Sequence, residues 1–410
     1  MKAKSLFIPV FIAIAASLVQ AAPASIEDSI ASHASKDGID LSVIDSAPTI
    51  LAAIADTYRD KGVEYTQENR RRSAKPIVRR GVGNIFDVHA HAMPDWYRAI
   101  TPFTGGNVAV GSGGGFPTPQ WNVSAHMAFM DTIGISHSVL GFTGPSANAY
   151  LGDKARTIAL ARLINEQLAA FARTYPDTFS FFASIPLPYV EESITELKYA
   201  VNELGAVGIA LMSNHEGLYL GYDLFTPFWE ALDGLGGRQI VYVHPTTPYL
   251  KVNNQWIPAN PYFEMDQSRM EFYMETARTF MDLTVKQTIH NFTNTHFVLP
   301  HVGGAFPVMI DRVLKTVHTD LYEASLEIYR TRFWWDSASP TYFHQIGGLL
   351  AYDIPKGNLL YGTDFPFINA AVTAADFDSI MAYPGLTDEE KEDLLSRNYQ
   401  QLFGDKLYFS

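Results

Sequence analysis

The chain has 410 residues, a formal net charge of −13 and a hydrophobic fraction of 47%, and it contains no cysteine. This composition excludes an intrinsically disordered chain, a disulfide-stapled miniprotein, a catalytic thiol and any cysteine-ligated metal site. The excess of acidic over basic side chains argues against nucleic acid as a partner, because nucleic-acid binding needs clustered lysine and arginine.

The first 22 residues have the pattern of a secretory signal peptide. Lys2 and Lys4 precede an apolar run over residues 6–19, and the small residues Ala21 and Ala22 follow it. The pattern predicts cleavage after one of these alanines and a secreted, vesicular or vacuolar protein with no stable membrane span after cleavage. The alternative is an N-terminal membrane anchor, although the run is shorter than the ~20 residues that cross a bilayer.

Residues 23–80 are predicted to be an N-terminal extension or pro-segment, followed by a catalytic domain over residues 81–410. Arginine clusters stand at 70–72 and 79–80, and the second, a dibasic pair directly before residue 81, predicts a processing site at the edge of this domain, with a solvated run of charge as the alternative. Two sequons, at Asn122 and Asn291, predict N-glycosylation and agree with a secretory route.

From residue 84 onward, short apolar runs alternate with longer amphipathic stretches. The amphipathic stretches have helical periodicity, as over residues 153–175. The apolar runs predict eight strands, over residues 84–92, 137–142, 179–186, 206–213, 239–245, 296–304, 333–339 and 358–366. Eight repeats of strand and helix predict an α/β fold, a (β/α)8 TIM barrel, rather than an open doubly wound sheet.

Polar residues end four of the predicted strands. His89 and His91 end the first strand, and strand alternation puts both on the face toward the barrel axis. His244 ends the fifth strand, His301 the sixth and Asp364 the eighth. Because a barrel carries its active site at the C-terminal ends of its strands, these side chains are expected to converge there. Imidazoles with a carboxylate suit zinc, and also iron or manganese.

Each of these motifs alone also has an ordinary interpretation. A single His-x-His is often incidental, a His-Pro pair can simply end a strand, and Asp364 could cap a helix. All of them fall at the same end of the predicted first, fifth, sixth and eighth strands. Their common position therefore favours a metal site.

The order of the motifs HxH, HP, HxGG and GTDFP resembles the amidohydrolase superfamily, and specifically its decarboxylase branch. That branch includes aminocarboxymuconate semialdehyde, γ-resorcylate and 6-methylsalicylate decarboxylases. The likeness covers roughly residues 84–404, and the stretches 118–121, 127–131 and 219–222 are most similar to the 6-methylsalicylate decarboxylases.

The resemblance implies a role for each residue that matches a family motif. It implies that four residues hold the metal: His89, His91, His244 and Asp364. It further implies that His301 contacts substrate or water and transfers protons. The position of Arg312 implies that this residue binds substrate carboxylate in a neighbouring subunit, which predicts a homodimer. No obvious lysine ends the fourth strand, over residues 210–213, so one divalent ion is expected, zinc first and manganese second.

The implied activity is non-oxidative decarboxylation of a small aromatic acid of the 2-hydroxybenzoate type, such as 6-methylsalicylate, in secondary metabolism. In one version Asp364 delivers the proton to the ring, and in the other His301 acts through water. A metal-dependent hydrolase of the same superfamily, such as a lactonase, is the alternative enzyme, because a metal-bound water is a hydrolytic nucleophile. A secreted binding protein with a vestigial site is the non-enzymatic alternative.

Three further residues are predicted to contact the substrate less specifically. Trp96 lies in a glycine-rich loop over residues 93–121 that could form a lid over the barrel, although packing within the loop is the alternative. Phe365 follows the metal-ligating aspartate and is expected to line the site. His215 follows the fourth strand and could reach the substrate, whereas His126 is interpreted as structural.

Overall fold

The computed structural model describes residues 24–65, 84–101, 103–104, 116–261, 266–339 and 343–407. The predicted signal peptide and both arginine clusters lie outside these residues. Within the described part of the chain, no helix combines the length and the apolarity needed to cross a membrane.

Eight parallel strands form one sheet in sequence order, and each strand pairs with the next. They are β1 (Ile85–His91), β2 (Ile135–Gly141), β3 (Phe179–Ser184), β4 (Gly208–Met212), β5 (Gln239–His244), β6 (Thr295–Leu299), β7 (Phe333–Asp336) and β8 (Leu359–Leu360). The sheet closes because Ala90 bridges Phe365, just after β8, and the His91 N–H donates to the Phe365 carbonyl at 2.8 Å. The predicted (β/α)8 barrel is confirmed.

Helices surround the barrel, and two of them precede it. The first two are α1 (Ile26–Lys36) and α2 (Ala47–Arg59). The others are α3 (Asp95–Ile100), α4 (Val123–Ile133), α5 (Lys154–Thr174), α6 (Val190–Tyr199), α7 (Thr226–Asp233), α8 (Glu271–Val285), α9 (Thr288–Asn291), α10 (Phe306–Leu314), α11 (Tyr322–Thr331), α12 (Phe343–Leu350), α13 (Ala370–Ala382), α14 (Asp388–Ser396) and α15 (Asn398–Phe403). The predicted helix over residues 153–175 is α5, with Asp153 as its N-cap.

The end of the barrel at the strand N-termini is filled by the C-terminal segment of the chain. Inside the barrel, Phe182 of β3 stacks on Tyr242 of β5, with ring centroids 5.3 Å apart. Leu402, Phe403 and Leu407 belong to the same buried cluster as these strand residues. Because apolar side chains close this end, the polar chemistry is confined to the opposite end of the strands.

Most of the predicted strands are shorter in the structure, and the differences are largest for β6 and β8, where the turns of the candidate site begin. β6 ends at Leu299, and the next residues leave the sheet, since His301 and Val302 have positive φ values of 55° and 54°. β8 covers only Leu359–Leu360, and Asp364 also has a positive φ of 59°. His301 and Asp364, which carry candidate site side chains, therefore no longer have the strand conformation.

Candidate metal centre

The structure brings together the four residues expected to hold a metal. His89 and His91 end β1, His244 ends β5 and Asp364 follows β8. One ligand atom from each lies within 4.8 Å of the others, and the three histidines are buried. The sequence motifs therefore meet at one point at the C-terminal ends of the strands.

The distances between the ligand atoms fit a single cation. His89 Nε2 lies 3.2 Å from His91 Nε2, and Asp364 Oδ1 lies 3.1 Å from His91 Nε2 and 3.6 Å from His89 Nε2. Four ligands with bonds of about 2.0–2.1 Å around a tetrahedral zinc ion are roughly 3.3 Å apart. Two imidazole nitrogens this close favour a shared positive charge between them, so the donor set suits a divalent metal.

Hydrogen bonds on the far side of two imidazoles fix their orientation. His89 Nδ1 lies 3.0 Å from Asp336 Oδ2, and His244 Nδ1 lies 2.6 Å from the Pro245 carbonyl oxygen. Because both oxygens accept, each Nδ1 carries the proton and each Nε2 presents its lone pair to the centre. These are the tautomers that a metal site requires.

Asp336, at the end of β7, connects a predicted ligand to the His301 turn. Its side chain is fully buried. Oδ2 accepts from His89, and Oδ1 accepts the backbone N–H groups of His301 and Ala338, both at 3.0 Å. Sequence reasoning did not select Asp336, although a lone acidic residue within the apolar seventh predicted strand was an available signal.

The two oxygens of Asp364 face different neighbours. Oδ1 points to the histidine ligands, whereas Oδ2 accepts from Ser339 Oγ at 2.7 Å and lies 3.8 Å from His301 Nε2. Sequence reasoning also missed Ser339, because no motif surrounds it. One carboxylate can thus bind a metal through Oδ1 and accept or donate a proton through Oδ2.

Burial and hydrogen bonding set the protonation states in this cluster. Burial lowers the pKa of His91, and burial with the neighbouring histidines lowers that of His244 well below its ordinary value. Burial would also lower the pKa of His89, but the charge of Asp336 and its hydrogen bond outweigh it and raise that pKa. Burial raises the pKa of Asp364, yet the neighbouring imidazoles of His301, His91 and His89 hold it well below its usual range. The carboxylate is therefore ionised.

Three aromatic rings border the centre. Tyr273 of α8 lies nearly parallel to the His301 imidazole, with centroids 5.6 Å apart and an interplanar angle of 15°. Phe272 meets His244 edge-on at 6.2 Å, and Phe367 meets His91 edge-on at 5.6 Å. No motif marks these rings in the sequence. They give the surroundings of the polar cluster the aromatic lining that a flat ring would need.

Trp96 and Phe365, both predicted to contact substrate, take part in packing within the chain. The Trp96 indole N–H donates to Gln167 Oε1 at 3.1 Å, and the buried indole packs against Phe142. Phe365 stacks on Phe129, with ring centroids 4.1 Å apart. The direction of each ring is set by helices packed outside the strands, and the sequence does not encode that direction locally.

The ring of His215 contacts residues outside the ligand set, and Arg312 lies on the surface of its own chain. His215 is buried, with Nδ1 2.7 Å from Asn148 Oδ1 and Nε2 accepting the Met212 N–H at 3.2 Å, so both ring nitrogens are engaged. Arg312 is exposed on α10. His126 has the structural role expected of it, since it is buried and accepts the Trp121 indole N–H at 3.0 Å.

A closed parallel barrel with three histidines and an aspartate at its C-terminal strand ends defines the class of metal-dependent barrel enzymes. The amidohydrolase family model matches residues 86–404, and the chain belongs to this family.

Known members of the family include decarboxylases of aromatic acids. The chain is 28% identical over 327 residues to the decarboxylase yanB of Aspergillus niger, covering 76% of this chain and 85% of that protein. It is 29% identical over 290 residues to the 6-methylsalicylic acid decarboxylase of Penicillium expansum, covering 68% and 84%.

Solved structures share the fold. A protein described as amidohydrolase II superposes with a TM-score of 0.69 at 26% identity, over 78% of this chain and 99% of that chain. The dihydroxybenzoic acid decarboxylase of Polaromonas sp. JS666, crystallised with manganese and 2-nitroresorcinol, superposes with a TM-score of 0.60 at 19% identity, over 80% and 100%.

Proposed function

We propose that this protein is a metal-dependent, non-oxidative decarboxylase of a small 2-hydroxybenzoate such as 6-methylsalicylate, acting in secondary metabolism. The observation that carries the proposal is the divided environment of Asp364, with Oδ1 among the ligands and Oδ2 3.8 Å from His301 Nε2. The decarboxylases among the relatives give the reaction class. The aromatic rings around the centre agree with a flat substrate.

We propose zinc as the resident ion, held by His89, His91, His244 and Asp364, with manganese as the alternative. A divalent ion there would supply Lewis acidity to the carboxylate and phenol oxygens of a 2-hydroxybenzoate. Three imidazoles with one carboxylate form a donor set typical of zinc. Metal analysis of the purified full-length protein distinguishes zinc from manganese.

The proton needed at the ring carbon would move through Asp364. The carboxylate is ionised at rest, so it can accept the phenol proton of the arriving substrate on Oδ2. It then donates that proton to the ring carbon that bears the carboxylate, and the carbon–carbon bond breaks to release CO2. The product leaves as a phenolate and takes a proton from solvent. Ser339 orients Oδ2, and His301 holds the phenol oxygen.

The experiment that tests this function is product analysis on the metal-loaded full-length protein. A panel of 2-hydroxybenzoates that includes 6-methylsalicylate is incubated with the protein and followed by mass spectrometry. Loss of one CO2 from a member of the panel is the expected result. Hydrolysis of lactones without decarboxylation, with metal confirmed bound, would contradict the proposal and establish the hydrolase alternative.

We further propose a homodimer formed through the exposed face of α8 and α10. Val308 is 75% exposed and Met309 37% exposed on α10, beside Arg312 on the same helix, and Met274 on α8 is 41% exposed. Exposed apolar side chains in one region are typical of an interface, which would carry Arg312 toward the neighbouring site. Sedimentation should show a dimer that Val308→Asp dissociates, whereas the exposed control Val317→Asp leaves it intact.

A secretory destination is also part of this proposal. Asn122 and Asn291 of the two sequons are both exposed, so a glycan could be attached at either without disturbing the core. The protein expressed in a eukaryotic host should reach the medium or a vesicular compartment and lose mass after glycosidase treatment. A cytosolic protein without glycan would contradict the proposal.

A further inference from the structure

Residues 24–65, which precede the barrel, are folded against its outer wall. The helix α2 packs on α5 and α1 packs on α2, and six of their side chains are completely buried: Ile30, Ala34, Ile50, Ile54, Ala55 and Tyr58. Tyr58 meets Tyr65 edge-on, with ring centroids 5.5 Å apart. All of the six except Ala55 belong to the same apolar cluster as the helices of the barrel.

The helix beneath this segment has no solvent face along most of its length. A helix on the outside of a barrel ordinarily keeps one polar stripe in water. On α5, every residue from 157 to 172 is buried, including Arg162, Asn165, Glu166 and Gln167. The N-terminal segment therefore occupies the side of α5 that other barrel helices present to solvent.

Charged groups of α5 find partners in the segment. Arg162 donates to Asp37 Oδ2 at 2.7 Å as well as to Glu196 at 2.9 Å, and its guanidinium is fully buried. Glu166, also buried, accepts from the hydroxyl of Tyr65 at 3.3 Å. Because buried ionic groups need all their partners, removal of the segment would leave both side chains incompletely paired beside newly exposed apolar surface.

A second set of bonds connects α2 to the first helix after β1. Gln167 Nε2 donates to Thr57 Oγ1 at 3.0 Å, and Gln167 Oε1 accepts from the Trp96 indole at 3.1 Å. Thr174 Oγ1 donates to the Thr57 carbonyl at 3.2 Å, and Arg173 donates to the Tyr58 hydroxyl at 3.1 Å. The segment thus hydrogen-bonds to Gln167 of α5, the residue that also positions Trp96, and Trp96 is close in sequence to the metal-ligating histidines.

We propose that residues 24–65 are a permanent part of the enzyme, and that the face of α5 is their binding surface. A cut in the arginine-containing stretch that follows them would produce a two-piece complex and would not release a pro-segment. This inference concerns the integrity of the fold and does not depend on the decarboxylase activity.

The experiment uses the full chain with residues 73–78 replaced by the recognition sequence of a site-specific protease. After complete cleavage, the two pieces should co-elute in gel filtration and appear as a one-to-one complex in native mass spectrometry. The melting temperature should change by no more than a few degrees. Release of the N-terminal piece from a barrel that remains folded, with an unchanged melting temperature, would overturn the proposal.

A pair of variants in the same cleavable chain tests the assigned surface. Ile54 is fully buried in α2, whereas Ala52 on the same helix is exposed. Ile54→Asp should either prevent folding of the uncut chain or release the piece after cleavage, and Ala52→Asp should do neither. An Ile54→Asp piece that stays bound, or an Ala52→Asp piece that dissociates, would show that α2 does not bind as described.

Discussion

Asp336 joins a metal ligand and the His301 turn through a single carboxylate. We expect Asp336→Asn to lower metal affinity about 10- to 100-fold, because the amide no longer offers two charged acceptors to the His89 N–H and the turn. Competition with a metal-binding dye measures this affinity without reference to activity. The exposed control Asp353→Asn should bind metal normally. Equal affinities for both variants would contradict the positioning role.

Substitution of Asp364 tests whether its carboxylate transfers the proton during turnover. Asp364→Asn is expected to abolish turnover, because an amide cannot take up and return the proton. Ser339→Ala removes the hydrogen bond to Oδ2 and should lower kcat by a smaller factor, within the roughly 100-fold that a misplaced catalytic group costs. Steady-state kinetics at confirmed metal content compares them. An active Asp364→Asn enzyme would contradict proton delivery by Asp364 and favour His301 acting through water.

Two buried histidines outside the centre predict how stability depends on pH. Burial lowers the pKa of His126 and of His215 from 6.5 to about 3. The unfolded chain takes up these protons near pH 6.5 and the folded chain does not, so the free energy of unfolding falls as pH decreases from 6.5 toward 3. Each histidine contributes about 1.4 kcal/mol per pH unit in that window.

Urea unfolding at about pH 6.5 and about pH 5 measures this dependence. His215→Gln removes one of these two histidines and should flatten the pH dependence by about half of their joint contribution, whereas His344→Gln at an exposed position leaves both in place. The prediction fails if the slope is the same in the His215→Gln protein and the wild type.

The conformation of the turn after β6 requires a glycine at position 303. Gly303 has a φ of +79°, and a Cβ there would lie 2.6 Å from the Trp335 ring. Gly303→Ala should therefore lower the free energy of unfolding by about 1–3 kcal/mol through backbone strain and the clash. Gly348→Ala in α12, where nothing lies within 4 Å of the new Cβ, is the control. Chemical denaturation measures the free energy of unfolding of both variants. A Gly303→Ala protein as stable as the wild type would contradict this prediction.

The strands and the metal ligands could be predicted because both follow from local patterns. A buried parallel strand is an apolar run, and His89, His91, His244 and Asp364 stand where such runs end. The short β6 and β8 could not be predicted, since their residues leave the sheet to form turns stabilised by distant groups such as Asp336.

Side-chain direction explains the remaining differences. Trp96 and Phe365 have the composition of a pocket wall, but their rings point into packing with Gln167 and Phe129 from other elements. His215 follows a strand and is therefore expected to reach the substrate, but its ring is hydrogen-bonded to Asn148. Tyr273, by contrast, borders the site from a helix that carries no motif. Tertiary contacts decide all four positions.

For the whole molecule, the proposed metal connects β1, at the start of the barrel sequence, with the segment after β8, near its end. A ligand that binds only the folded state adds about 4 kcal/mol to the free energy of unfolding at 1,000 times its Kd. Chelation should therefore lower the melting temperature of the wild type by several degrees, and re-addition of zinc should restore it. His244→Ala should melt at the same temperature with and without chelator. A wild-type protein unaffected by chelation would contradict a resident ion.

Closure of the barrel between β1 and the segment after β8 sets an order of events during biosynthesis. The ligands run from residue 89 to residue 364, and the plug at Leu402 and Phe403 comes later still. A ribosome makes the first two ligands early, yet they have no complete coordination sphere until nearly the whole chain has emerged. Metal loading is therefore a late event, and the ion must be drawn from whichever compartment receives the finished chain.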